Sequence, residues 1–373
     1  MGKDLCEGCR DGVLSAKPDK RQKNALRCDA CATSTCTAAA DLHELHDATS
    51  GTDRDRPTWG AQTTDVRDLT SEDWTIQPSE DALEEIHTIA ETIRSHPLPD
   101  FLRGPEDFEI PHLKEIASSA KSILDQGCGF CVMEPFPLDS LNDQEQVECF
   151  RIFSQLLGRP VAQKWDGTMM YDVTDTGQPY SYGVRGSYTN VELPFHNDNA
   201  FGIRLPEYVG LLCKRPAREG GVSRFCSLHS VHNRMLEQHP GPLKRLYQPM
   251  LFDRQKEHAE NAPPTVWAPC FSWNGNQLKA RVNVSLVQKG YEISGKKMDD
   301  ELQEALECLQ NVVGSEDLWV EAPLERGQIQ FLDNQNLIHY RSRFTDDPDP
   351  EKKRHLYRIW LRDSGAQSYD GLI

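Results

Sequence analysis

Beyond residue 160 the chain is divided into short apolar runs separated by turn residues, and this spacing constrains the fold more than any other feature. The runs are YVGLLCK, GVSRFCSL, ARVNVSLV, LWVEAPL, GQIQFLD and HLYRIWLR. Each has the length of a strand, and their succession predicts a sandwich or barrel. One helical stretch, DDELQEALECLQNVV at 299–313, interrupts them. Upstream the period becomes helical. SEDALEEIHTIAETI, HLKEIASSAKSILDQG and NDQEQVECFRIFSQLLG read as amphipathic helices, with GFCVMEPF as a strand between the second and third. The expected class is α+β, mainly β, with helices packed outside a β core. No glycine-rich phosphate loop follows a strand, so nucleotide-binding folds have no support.

Charge and hydropathy narrow the function. A formal net charge of −17 repels phosphate backbones, so nucleic acid is not an expected partner. No apolar run approaches the roughly 18–20 residues of a membrane-spanning helix. The opening MGKDLCEGCR lacks the apolar core of a secretory signal, and Cys6 stands where a myristoylation pattern needs Ser or Thr. These features predict a soluble, cytoplasmic protein with no membrane partner.

Residues 1–60 differ from the rest. They are rich in Cys, Thr, Asp and Ala, and TSGTDRDRPTWG reads as a linker. The expected division is a Cys-rich amino-terminal extension over 1–60 and a catalytic domain over 61–373. Cys6-x2-Cys9 followed by Cys28-x2-Cys31 has the spacing of a structural zinc site. The alternatives are a zinc module and a disordered tail with incidental thiols, and Cys36, His43 and His46 leave the ligand set ambiguous. Cys128 and Cys131 share CxxC spacing but sit where an apolar strand begins, and they read as packing.

ELPFHNDNAFG at 192–202 puts His196 and Asp198 two positions apart after a short apolar stretch. A mononuclear iron(II) centre takes two His and one carboxylate on one face and leaves the other face open. The candidate for the third ligand is His339, which follows the strand QIQFL and the turn DNQN. A few residues on, RHLYRIWLR carries Arg354 and Arg358 four apart, on one face of a strand. Arginine in an apolar strand is costly without an anion, and a dicarboxylate supplies one.

HNDN, GGVS and NQNLIHYRSRF…RHLYRIWL together resemble the TauD/TfdA family of iron(II)- and 2-oxoglutarate-dependent dioxygenases, related to clavaminate synthase, over about 127–363. The resemblance implies a double-stranded β-helix (jelly-roll) core with flanking helices. It implies iron(II) on His196, Asp198 and His339, with 2-oxoglutarate and O2 as cosubstrates. Arg358 matches the arginine that grips the far carboxylate of 2-oxoglutarate, and Arg354 a second basic position nearby. Ser223 keeps the hydroxyl that bonds the same carboxylate where the family has Thr, while Val222 departs from the usual Asp. Halogenases of this superfamily carry a small residue at the carboxylate position. Asp198 therefore points to hydroxylation, desaturation or ring closure.

The motif that names the chemistry does not name the substrate. GVRGSYTN precedes the metal ligands and reads as the pocket mouth. There Arg185, Tyr188, Asn190 and Glu192 are candidates for reading a polar substrate, with Arg341 for an anionic group. The expected function is oxidation of a small polar molecule, such as an amino acid derivative or secondary-metabolite intermediate, with release of succinate and CO2. The rivals are a protein side-chain oxygenase and a non-enzymatic protein, either cupin-like or a zinc-dependent scaffold. No motif bears on oligomeric state.

Overall fold

The computed structural model describes residues 69–99, 101–181, 183–273 and 278–371. The amino-terminal extension, with Cys6, Cys9, Cys28 and Cys31, lies outside the described residues. Eleven strands build the two main sheets. In chain order they are β1 (Thr75–Ile76), β2 (Phe130–Met133), β3 (Arg159–Val161), β4 (Met170–Val173), β5 (Leu193–His196), β6 (Tyr208–Arg215), β7 (Ser223–Ser227), β8 (Trp319–Ala322), β9 (Ile329–Asp333), β10 (Leu337–Arg341) and β11 (His355–Arg362). The major sheet runs β1-β2-β9-β6-β11-β3, with β4 also paired to β11. The minor sheet runs β8-β7-β10-β5. All these pairs are antiparallel except β1 with β2.

The sheets face each other as a jelly roll. Phe130 of β2 stacks on Phe225 of β7 at 4.2 Å between ring centroids. Val132, Val209, Leu332 and Trp360 from one sheet and Leu337 from the other complete this apolar layer.

Alternation along the strands decides what faces inward. On β11, Tyr357, Ile359 and Leu361 point outward to helices α1 (Glu80–Ser95), α2 (Pro111–Gln126) and α3 (Asp143–Gln155). The residues between them are left for the interior. The α1 helix starts where Ser79 accepts the Ala82 N–H, and it buries Ala82, Ile86, Ile89, Ala90 and Ile93 at helical spacing. The α3 helix starts at an Asn142–Glu145 capping box. On the minor sheet, Phe195, Cys226 and Ile338 point outward. They meet the core of α4 (Leu228–Gln238), α5 (Pro240–Leu246), α6 (Val284–Ser294) and α7 (Asp300–Val313).

One expected strand is a helix. ARVNVSLV at 280–287 carries alternating valines, yet only Ala280 ends a strand and α6 begins at Val284. The reason is local: the Asn283 side chain accepts the Leu286 N–H at 3.0 Å and caps the helix, so Val284, Val287 and Tyr291 share one buried side. The α4 and α5 helices had no expectation at all. Cys128 and Cys131 are buried without a disulfide, and burial pushes the Cys128 thiol up to about 11. Among the described residues no helix is long and apolar enough to cross a membrane.

Candidate active site

Strand register assembles the triad. β5 and β10 are antiparallel neighbours that set His196 directly opposite His339. Opposed residues project to the same face, and the two imidazole centroids lie 4.3 Å apart. Asp198 follows β5 in a turn pinned by two fully buried asparagines. Asn197 donates to the Asn334 and Leu337 carbonyls at 2.7 and 2.9 Å and accepts the Val282 N–H at 2.7 Å. Asn334 accepts the Asp198 N–H at 2.8 Å and donates to the Asp198 and Pro206 carbonyls at 3.0 and 3.2 Å. The turn carrying one ligand is thereby tied to the turn that precedes His339.

The two oxygens of Asp198 have different jobs. Oδ1 lies 3.6 Å from His196 Nε2 and 3.9 Å from His339 Nε2. Oδ2 is held from behind, by the Trp360 indole N–H at 2.8 Å and by Arg358 Nη1 at 3.1 Å. His196 Nδ1 sits 2.8 Å from the Pro194 carbonyl, which can only accept, so Nε2 carries the lone pair toward Oδ1. The three ligand atoms lie within 4.8 Å of one another. Two imidazole nitrogens and one carboxylate oxygen converging on one point form a donor set that fits iron(II).

The electrostatics agree. Burial opposes ionisation of Asp198, but the Arg358 guanidinium and the imidazoles outweigh it and hold the carboxyl far below the usual range. Burial, with His196 beside it, pulls His339 down to about 3, so the ring is neutral as a metal ligand requires.

Arg358 is committed to this end. Its Nε donates to Gln163 Oε1 at 2.8 Å, and Gln163 donates back to the Arg358 carbonyl at 2.8 Å. Its guanidinium lies over the Tyr171 ring at 4.7 Å. The sequence puts the far-carboxylate grip on Arg358, yet here its charge faces Asp198. The unused hydrogen-bonding capacity lies on Arg354 and Arg341. Arg354 stacks over Phe344 at 5.0 Å, and its Nη1 is buried without a partner. Arg341 stacks over the same ring at 4.9 Å, with buried Nε and Nη1 unpartnered. Burial lowers Arg354 to about 10 and, with Arg354 nearby, Arg341 to about 9. Ser223 of β7 stands directly opposite Arg341. Gly221 has φ +71, and a Cβ there would sit 3.1 Å from Arg354 Nε, so glycine lets the backbone pass close to the guanidinium.

A cleft of ≈ 810 Å³, its solvent-open mouth included, is lined by His196, Asp198 and Arg358 together with Glu192, Asn283 and Ser285. Arg185 lines it too, but pairs with Glu257 at 2.7 Å and donates to the Gln163 carbonyl at 2.7 Å. Tyr188 stacks on Tyr171 at 5.1 Å, and Asn190 gives its carbonyl to the Phe344 N–H at 3.2 Å. Tyr188, Asn190 and Arg341 are not part of the lining; Glu192 is, and it is exposed. Asn197, Asn334, Trp360 and Gln163 were not singled out from the sequence. The one signal they carried was asparagine inside both ligand turns.

The family described as taurine catabolism dioxygenase TauD, TfdA family, matches residues 94–360. FR-33289 synthase from Streptomyces rubellomurinus is 25% identical over 300 residues, 79% of this chain and 87% of that protein. The taurine hydroxylase-like protein SAT17 of Stachybotrys chartarum is 23% identical over 299 residues, 77% of this chain and 75% of that protein. An asparagine oxygenase solved with Fe(II), 2S,3S-3-hydroxyasparagine and succinate aligns with TM-score 0.58 at 19% identity, covering 77% of this chain and 93% of that one. The non-heme iron oxygenase OrfP, solved with Fe and alpha-ketoglutaric acid, aligns with TM-score 0.55 at 15% identity, covering 78% and 94%. At such identities the structural likeness speaks for the jelly-roll fold. The family match spans most of the chain and takes in both histidines, Asp198 and both arginines. This chain therefore belongs to the TauD/TfdA family and is a non-haem iron(II)- and 2-oxoglutarate-dependent dioxygenase.

Proposed function

We propose that the enzyme hydroxylates a small, polar, amino-acid-like molecule seated in the cleft beside His196 and Asp198. The observation that carries this reading is the cleft itself, which opens to solvent and holds His196, Asp198 and Arg358 in its wall. Its lining offers Glu192, Asn283 and Ser285 as polar contacts, while Arg185 has its charge matched by Glu257. Two neighbours in fold support the substrate class: the asparagine oxygenase structure holds 3-hydroxyasparagine, and an OrfP structure holds (3S)-hydroxy-L-Arg.

Iron and 2-oxoglutarate, when bound, supply the oxidising chemistry, with O2 consumed and the cosubstrate released as succinate and CO2. The chain's own groups do the positioning. His196 and His339 offer ring nitrogens and Asp198 offers Oδ1. Trp360 and Arg358 keep Oδ2 turned away, so the carboxylate presents one oxygen to the metal. Arg354 and Ser223 hold the far carboxylate of the cosubstrate. Support for Arg354 over Arg358 in that role is its unpartnered, buried Nη1.

The test is a panel of free amino acids and simple derivatives, incubated with Fe(II), 2-oxoglutarate and O2. Succinate release above the substrate-free rate, with one oxygen gained by the substrate in mass spectrometry, is the expected result. Release stimulated by peptides and by no free amino acid would overturn it.

A further inference from the structure

Arg341 and Arg354 pose a problem that metal binding does not answer. Both are buried, at 6% exposure each. Among the described residues no carboxylate forms an ion pair with either guanidinium; Asp346 accepts the Arg354 backbone N–H at 2.8 Å, and it and Asp175 act on the guanidinia through charge alone. Three guanidinium nitrogens, Nε and Nη1 of Arg341 and Nη1 of Arg354, have no partner. Two like charges share one phenyl ring between them. A buried unpaired guanidinium is strongly unfavourable, and a second one beside it more so. An anion placed between them removes both penalties.

The strands aim the two side chains into one space. Arg341 follows His339 by two residues on β10, and Arg354 precedes Arg358 by four, one residue before β11 begins. In strands these spacings keep each arginine on the same face as its metal-end neighbour. Arg341 is also anchored at its other edge. Its Nη2 donates to the Thr189 carbonyl at 2.9 Å and to the Val191 carbonyl, in the segment that ends at cleft residue Glu192.

We propose that Arg341 is a second guanidinium on the far carboxylate of 2-oxoglutarate, opposite Arg354. This rests on the reading that Arg354 holds that carboxylate. Nε and Nη1 of Arg341 lie on different sides of the planar guanidinium, so either is free to donate one charge-assisted hydrogen bond to a carboxylate oxygen. The Nη2 bonds then link the occupied cosubstrate site to the wall of the substrate cleft.

The experiment titrates anaerobic Fe(II)-loaded protein with 2-oxoglutarate and, in parallel, with 2-oxobutyrate, which has the same chelating head and no far carboxylate. The readout is the visible charge-transfer band of the chelate, so no turnover is needed. Arg341→Gln is expected to weaken 2-oxoglutarate roughly tenfold or more while leaving 2-oxobutyrate within about twofold. Arg341→Lys, which keeps the charge, is expected to recover part of the loss. Unchanged 2-oxoglutarate affinity in Arg341→Gln would overturn the proposal and make Arg341 a clamp on 189–191 alone. Equal weakening of both acids would overturn it too, as a general distortion. If Arg354→Gln leaves 2-oxoglutarate affinity intact, the underlying reading has failed instead, and the two failures are told apart.

Discussion

The two ends of the barrel interior are finished differently. At the metal end, Asp198 faces Arg358 at 3.1 Å, Trp360 and Gln163 complete the set, and buried asparagines tie the turns together. At the other end Arg341 and Arg354 keep three nitrogens without partners. At the metal end the Asp198 carboxylate is therefore held before any ligand arrives, while His339 Nδ1 stays buried without a partner. On the proposed reading an anion at the tail end balances the two guanidinia, so ligand binding there also stabilises the fold. The contrast is the ground for proposing separate duties for Arg354 and Arg358.

The strongest way to break this comparison is at the metal end. Asp198→Ala removes a ligand and leaves Arg358 facing no anion. Turnover of 2-oxoglutarate should fall on the order of 1000-fold or more. Turnover kept at the unsubstituted enzyme's rate would refute the triad.

The next effect is at the tail end. Arg354→Gln should weaken 2-oxoglutarate by roughly 10–100-fold, the loss of one or two charge-assisted hydrogen bonds, with iron binding unchanged in calorimetry. Asn334→Ala sharpens the claim of prior organisation. It should lower iron affinity by roughly tenfold and cost about 1–3 kcal/mol of stability for each buried group left unpaired, measured by urea melts.

A pH prediction follows from His339. Its folded pKa, about 3, lies below its ordinary 6.5. Between those values the unfolded chain binds a proton that the fold excludes. This contribution to stability is complete above about pH 6.5 and is lost progressively as pH falls toward 3. Urea melts of metal-free protein at neutral and mildly acidic pH should show the slope, and His339→Gln should flatten it. The smallest effect on the site comes from outside the barrel. Ile86→Ala in the helical layer should cost about 2–5 kcal/mol of global stability and leave 2-oxoglutarate affinity within twofold.

Much of this was legible in the sequence, for physical reasons. Alternation in QIQFL and HLYRIWLR marked strands because a strand between a helical layer and an interior must alternate. His196, Asp198 and His339 stood out because metal-ligand types clustered at strand ends. That His196 and His339 would be register partners was not legible, since pairing is a property of two distant segments. Period 2 placed Arg354 and Arg358 on one face but could not say which would meet Asp198. Asn197 and Asn334 looked like solvated turn residues, because a buried asparagine network has the same letters as an exposed turn. ARVNVSLV misled because its valine alternation outweighed the capping asparagine in its middle.

The most direct test is the structure of the anaerobic complex with Fe(II) and 2-oxoglutarate. The account predicts iron on His196 Nε2, Asp198 Oδ1 and His339 Nε2, with Arg358 still on Asp198 Oδ2 and the far carboxylate against Arg354. A far carboxylate gripped by Arg358, with Arg354 still lacking an anion, would contradict it.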